Sequence, residues 1–303
     1  MSKNKVADMS SLSSQEADND DMLHGNDDTK NHEKTSNGGD AYQRLLAQQI
    51  IAKPKIYSID SFFNLYGKFV DKSVFTDRGI KLVQWTMWLF SRLTANNKNI
   101  PGHLSPSLRK MYSELSMTRY ILRFYGFPSA LDAVRASGSW AGAPPYAQSW
   151  KDKRIVRLSN IMAWSMLFYY PLEHMAYANW TMPKLFRRVN GNKMSAWSCR
   201  LWLIYIVSDL ASSFLKNCEL QDYKQQLLSQ GKEGDNETVE LVQIDKCIKM
   251  NRIQIARNFF FTPPCLTWSL DKWATDPLLS ENVVNGMSWA EAVLCFYQSI
   301  LSL

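Results

Sequence analysis

A chain of 303 residues with 46% apolar content can build one large domain or two ordinary ones, and is too apolar for wholesale disorder. Residues 1–40 hold four Lys or Arg against nine Asp or Glu, a net of −5, so residues 41–303, with 31 against 19, carry +12. That body is also rich in the amphipathic rings that favour half-apolar, half-wet surroundings, with eleven Trp and thirteen Tyr in the whole chain.

Residues 1–40 have almost no large apolar side chain and read as a disordered acidic tail. Residues 41–303 read as one helical domain. Apolar residues from Ile59 to Val70 recur at helical spacing, and Thr76 or Asp77 can cap a second helix running to about Thr94. After a polar break at 96–106, Leu108, Met111, Leu115 and Leu122 stripe a third. Gly138 to Pro145 is a Gly/Pro/Ala loop whose G-x-x-x-G spacing reflects loop composition. Apolar stretches follow at about 158–180 and 196–215. A polar linker is expected at about 219–238. Beyond it, Leu241, Ile244, Ile248, Ile255 and Phe259 stripe a helix that Pro263-Pro264 should end, and Val283 to Leu303 is a final apolar stretch. No useful period-2 segment occurs, so the fold class is all-α: membrane-associated amphipathic helices with one or more apolar, membrane-embedded candidates.

Each apolar stretch carries charge: Glu173 in the first, Arg200 and Asp209 in the second, Glu291 in the third. A charge at a span's centre costs about 2.5–3.5 kcal/mol on insertion scales, which makes each span marginal. Cations flank the first stretch on both sides (Lys151, Lys153, Arg154 and Arg157; Lys184, Arg187, Arg188 and Lys193), with no positive-inside asymmetry. The chain therefore reads as membrane-associated, with the C-terminal stretch the best candidate span.

Catalytic and metal chemistry find no support. The five cysteines are widely spaced with no C-x-x-C pair, which predicts reduced thiols, no disulfide framework and no zinc site. The polar N-terminus predicts no secretory signal, and Leu301-Ser302-Leu303 is not the S-K-L address. His174 is the sole histidine in a predicted helix, and no Walker loop, dinucleotide fingerprint or H-E-x-x-H is present. We expect no enzyme activity, no cofactor, no catalytic or metal-binding residue and no nucleic-acid partner.

The informative segment is 77–95. Turned at 100° per residue, Ile80, Leu82, Val83, Met87, Leu89, Phe90 and Leu93 fill about half the circumference. The other half holds Arg78, Lys81, Gln84, Ser91 and Arg92, with Trp85 and Trp88 among the cations. An apolar half-circle also describes a helix on a globular core. The all-cationic polar face instead suits a helix in the lipid interface beside anionic headgroups. Under that reading Arg78, Lys81 and Arg92 reach phosphates while Trp85 and Trp88 sit at headgroup level.

Thr76 to Trp85 resembles the "gRDKllrllQY" opening of the peroxin-11 family, with Ser91-Arg92-Leu93 closing the helix. Four further blocks keep the family's order. They are Leu108–Met111 with Ser116–Arg123, Leu158-Ser159-Asn160, Ser198–Trp202, and Asn258–Leu270 with Pro263-Pro264 and Trp268-Ser269. Gly79 stands where the family usually has an acid and Cys199 where it usually has Asn. The likeness covers about residues 56–303, and the tail before it has no recognised counterpart. It implies a peroxisomal membrane protein, termini facing the cytosol, that elongates and divides peroxisomes. It also implies that the chain homo-oligomerises and meets the dynamin-type fission machinery and its membrane adaptor, while the cationic face of 77–95 points to an anionic phospholipid membrane as the surface it binds. Two other readings are an oligomeric metabolite pore, in which Glu173, Arg200 and Asp209 face water, and a helical adaptor with 77–95 in its core.

Overall fold

The computed structural model describes residues 73–302 except 96, 98 and 231–234. The acidic tail 1–40 and the helix expected from Ile59 lie outside the described residues. Within them the chain is helical, with no strand: α1 (Ser73–Ala95), α2 (Leu104–Leu122), α3 (Gly126–Arg135), α4 (Lys153–Thr181), α5 (Gly191–Gln230), α6 (Asp235–Trp268) and α7 (Glu281–Leu301). Short 3-10 turns, Arg123–Tyr125 and Ser139–Ala141, flank α3. Helix α4 packs on α5, α5 on α6, α6 on α7, α7 on α1 and α1 on α2, while α3 lies on α4.

Three boundaries differ from the sequence reading. Helix α1 begins before Asp77, so that residue is no cap; its carboxylate reaches across to Arg119 on α2, at 2.9 Å. The polar stretch 219–238 is helical to Gln230 and again from Asp235, because Leu220, Tyr223 and Leu227 pack inward there against Ile244 and Ile248. Pro263-Pro264 does not end α6, which runs on to Trp268. Phe261 and Cys265 pack on Ile206, Trp202 and Leu203 of α5, and that packing outweighs two lost backbone hydrogen bonds.

An apolar core of ordinary kind forms where the 139–150 loop meets α4, α5 and α6, from Ala141, Trp150, Ile155, Leu220, Ile244 and Ile248. Trp150 donates its indole N–H to the Ala141 carbonyl at 2.9 Å, which fixes the loop. Gly138 lies at φ +83°, and a Cβ there would sit 2.6 Å from Val156 Cγ1. Gly138→Ala therefore meets both a left-handed backbone and a clash, and should cost about 1–3 kcal/mol, read as a lowered thermal midpoint.

Candidate membrane-facing surface

Around α1 the usual distribution of polar and apolar side chains is reversed. Trp85 and Trp88 are each 4% exposed, and Lys81, Gln84 and Ser91 are buried on the same face. The opposite face presents Val83 (45% exposed), Phe90 (49%) and Leu93 (63%) outward. Ile80 and Met87 lie at its margins, half-buried, while Leu82 and Leu89 turn toward the tryptophans. Arg92 points outward.

The inward polar groups are partnered across helices. Lys81 forms an ion pair with Glu291 of α7, which also accepts from Arg257 of α6 at 3.0 Å. Arg78 donates to the Ser299 hydroxyl at 2.9 Å, and Ser91 exchanges hydrogen bonds with Ser105 at the start of α2. Arg119 donates to Gln84 as well as to Asp77, both at 2.9 Å. The expectation that Arg78, Lys81, Trp85 and Trp88 lie among headgroups is therefore corrected for this structure. Lys81 finds its counter-charge inside the fold, Arg78 finds a hydroxyl, and the tryptophans pack with Trp289, Ala292, Tyr112 and Trp268. Of the three cations assigned to phosphates, Arg92 is the exposed one.

Other helices also bury polar side chains among apolar ones and turn large apolar residues outward. On α4, Ile161, Trp164, Phe168 and Met175 face outward, whereas Ser159, Ser165 and Glu173 are buried. On α5 the outward residues are Trp197, Ile204, Val207 and Phe214, and the inward ones include Ser195, Ser198, Ser208, Ser212 and Ser213. Helix α7 buries Asn285, Ser288, Glu291 and Ser299 beside Ala292 and Cys295, and exposes Val283, Val293 and Tyr297. Small and hydroxyl-bearing residues let helix backbones approach closely, and polar groups find partners between helices when the surroundings are apolar. In water the outward residues would be a liability. From Trp197 to Phe214 the outward stripe of α5 extends about 26 Å at 1.5 Å per residue, close to the roughly 30 Å of a bilayer's hydrocarbon.

Each charge that made the apolar stretches marginal meets a polar or charged partner on another part of the chain. Glu173 pairs with Arg123 at 2.9 Å and Arg200 with Asp271 at 2.7 Å. Asp209 accepts from Gln254 and from Asn258, the latter at 2.8 Å. Glu291 has Lys81 and Arg257. These partners lie 34 to 71 residues or more away, so no local pattern marks them. One described helix segment, Gly191–Ser229, is long and apolar enough to cross a membrane by length and composition. That places the best span candidate on α5 and corrects the choice of the C-terminal stretch, where Asn282, Asn285, Glu291 and Gln298 lower the hydropathy of α7.

Burial pushes the Asp77 carboxyl up, but the Arg119 guanidinium beside it outweighs that and holds it below its ordinary value. A carboxylate depressed in the folded state contributes stability that is complete above its unfolded pKa, about 4, and is lost as pH falls through the folded value. An Asp77→Asn chain should thus lose stability at neutral pH by about 2–3 kcal/mol and show a flatter acid limb than the parent. Thermal midpoints from pH 7 down to 2 measure both. The described residues include no group of His, Cys, Asp and Glu side chains that could hold a metal ion.

A family model described as Peroxisomal biogenesis factor 11 (PEX11) matches residues 63–276, more than two thirds of the chain and all of α1 to α6. No curated protein and no solved structure matches the chain.

Proposed function

Because the chain belongs to the peroxisomal biogenesis factor 11 family, whose members are peroxisomal membrane proteins of peroxisome proliferation and division, we propose that it acts by bending the membrane it sits in. The observation that carries this reading is the outward apolar face of α1, where Val83, Phe90 and Leu93 are exposed among the described residues. Such a face enters the acyl boundary of one leaflet, and wedging one leaflet apart curves the sheet. Each large apolar side chain moved out of water contributes roughly 1.5–3 kcal/mol, and an oligomer multiplies that along a tubule. Arg92 and the basic loop at Lys184, Arg187 and Arg188 favour an anionic phospholipid surface. The chain works without catalysis in this reading, as a homo-oligomer with termini in the cytosol, and hands a thinned neck to the dynamin-type fission machinery through its membrane adaptor. Glu173 and Arg200 have counter-charges and Asp209 has amide donors inside one protomer, which favours remodelling over a water-filled pore lined by them.

The test is reconstitution of the full chain into vesicles containing anionic phospholipid, followed by electron microscopy. Tubules should appear as the protein-to-lipid ratio rises. Vesicles that stay round at every ratio, with protein incorporated, would reject the reading. In cells, an alkaline carbonate wash should leave the protein in the membrane pellet, and its release would favour a peripheral adaptor.

A further inference from the structure

A polar cleft of about 320 Å³ opens between α1, α5, α6 and α7. Among the described residues that line it, four are cations (Arg78, Lys81, Lys216, Arg257) and two are carboxylates (Asp209, Glu291). Glu291 is shared by Lys81 and Arg257, so one negative charge answers two positive ones. Asp209 is occupied by the neutral amides of Gln254 and Asn258. Arg78 bonds a hydroxyl and Lys216 faces the Trp150 ring, 5.6 Å from its centroid. Neither of these two has a carboxylate within ion-pair distance among the described residues. The lining thus carries two positive charges more than negative, in a fold whose outer face is apolar.

Arg78 and Lys216 are half-buried at the cleft, and two cations without a carboxylate suit a compact dianion. A phosphate monoester has the matching chemistry: a charge of about −1.5 to −2 at pH 7 and three strong acceptor oxygens. The guanidinium of Arg78 offers five N–H donors, of which one is bonded to Ser299, and the ammonium of Lys216 offers three. We propose that this cleft binds a phosphate monoester group, held by Arg78 and Lys216. The group can come from a free solute or from a lipid whose headgroup is a monoester. The site goes beyond the bending reading and stands or falls separately from it, since it uses the inward face of α1 rather than the outward one.

The experiment places the full chain in phosphatidylcholine nanodiscs and reads its thermal midpoint. One arm adds inorganic phosphate to the buffer; the other mixes phosphatidic acid into the disc. A rise in the first arm assigns the site to free solute, and a rise confined to the second assigns it to lipid. Phosphatidylglycerol, a diester with a single charge, should raise the midpoint less than phosphatidic acid. In the responding arm, Arg78→Gln with Lys216→Gln should weaken binding by more than tenfold, and Lys216→Gln alone by about tenfold. Without ligand, Lys216→Gln should melt no lower than the parent, because its ammonium has no carboxylate; the double variant also loses the Arg78 bond to Ser299, so its response is read against its own ligand-free midpoint. A Lys224→Gln control, whose ammonium pairs with Asp245, keeps the response. No rise in either arm, an equal rise with phosphatidylglycerol, or a response that survives both variants would overturn the proposal.

Discussion

Vesicles reconstituted with a Phe90→Glu, Leu93→Glu chain should stay round where the parent draws tubules. Both side chains lie on the exposed side of α1, about half or more exposed, away from the buried Lys81, Trp85 and Trp88, so helix content by circular dichroism should be unchanged. What changes is the face offered to lipid. Losing two large apolar groups forfeits roughly 3–6 kcal/mol of transfer free energy per molecule, and two buried carboxylates add a penalty of their own. The wedge is then withdrawn from the acyl boundary, and the effect is summed over every copy in an oligomer. Undiminished tubulation by the variant would remove α1 from the mechanism. A collapse of helicity would show that this face packs against protein rather than lipid.

Neutralising one carboxylate should have the largest effect on stability. Glu291 is buried and answers both Lys81 and Arg257, so Glu291→Gln leaves two cations inside the fold without a counter-charge. Breaking a buried pair from one side costs about 3–5 kcal/mol, and here two partners are orphaned at once. The denaturation midpoint in detergent or nanodiscs should fall accordingly. Adding Lys81→Met to Glu291→Gln should restore part of the loss, since the double variant leaves only Arg257 to be satisfied, and Arg257 keeps Gln254 and Gln298 as acceptors. A double variant no more stable than Glu291→Gln alone would mean that Lys81 and Glu291 are not coupled.

The helices themselves were legible, because spacing within α1, α4, α5 and α7 is a local property. The division of segment 77–95 into an apolar and a cationic half was legible for the same reason. What covers each half was not. A helical wheel shows that Lys81, Trp85 and Trp88 share a side, but whether that side meets headgroups or Glu291 and Trp289 depends on a helix some two hundred residues away. Composition pointed to lipid because the segment after Asp77 contains no acid, whereas the acid that answers Lys81 is supplied by α7 and the segment's own Asp77 answers Arg119 of α2. The same limit explains the apolar stretches. Glu173, Asp209 and Glu291 looked like faults in a span, since the partners that satisfy them stand on other helices. Two local rules also failed to carry. Pro263-Pro264 sits inside a helix held by its neighbours, and Met111, on the apolar stripe of its helix, faces outward while Arg119 of the same helix is buried.

The contact of α7 with α1 imposes an order on the molecule's assembly. A ribosome starts α1 more than two hundred residues before α7, and during that interval Lys81 has no counter-charge and Trp85 and Trp88 lack Trp289 and Ala292 from their packing. An early α1 exposes a cationic, tryptophan-rich side and an apolar side together, so helix by helix insertion would strand it half-solvated. Closure waits for α7, whose arrival also brings Ser299 beside Arg78 and so sets the end of α7 next to the start of α1. A stop codon anywhere before Glu291 therefore abolishes more than one helix: it leaves the entry point of the fold without its lid, and the product should be cleared by proteolysis rather than persist as a shortened protein.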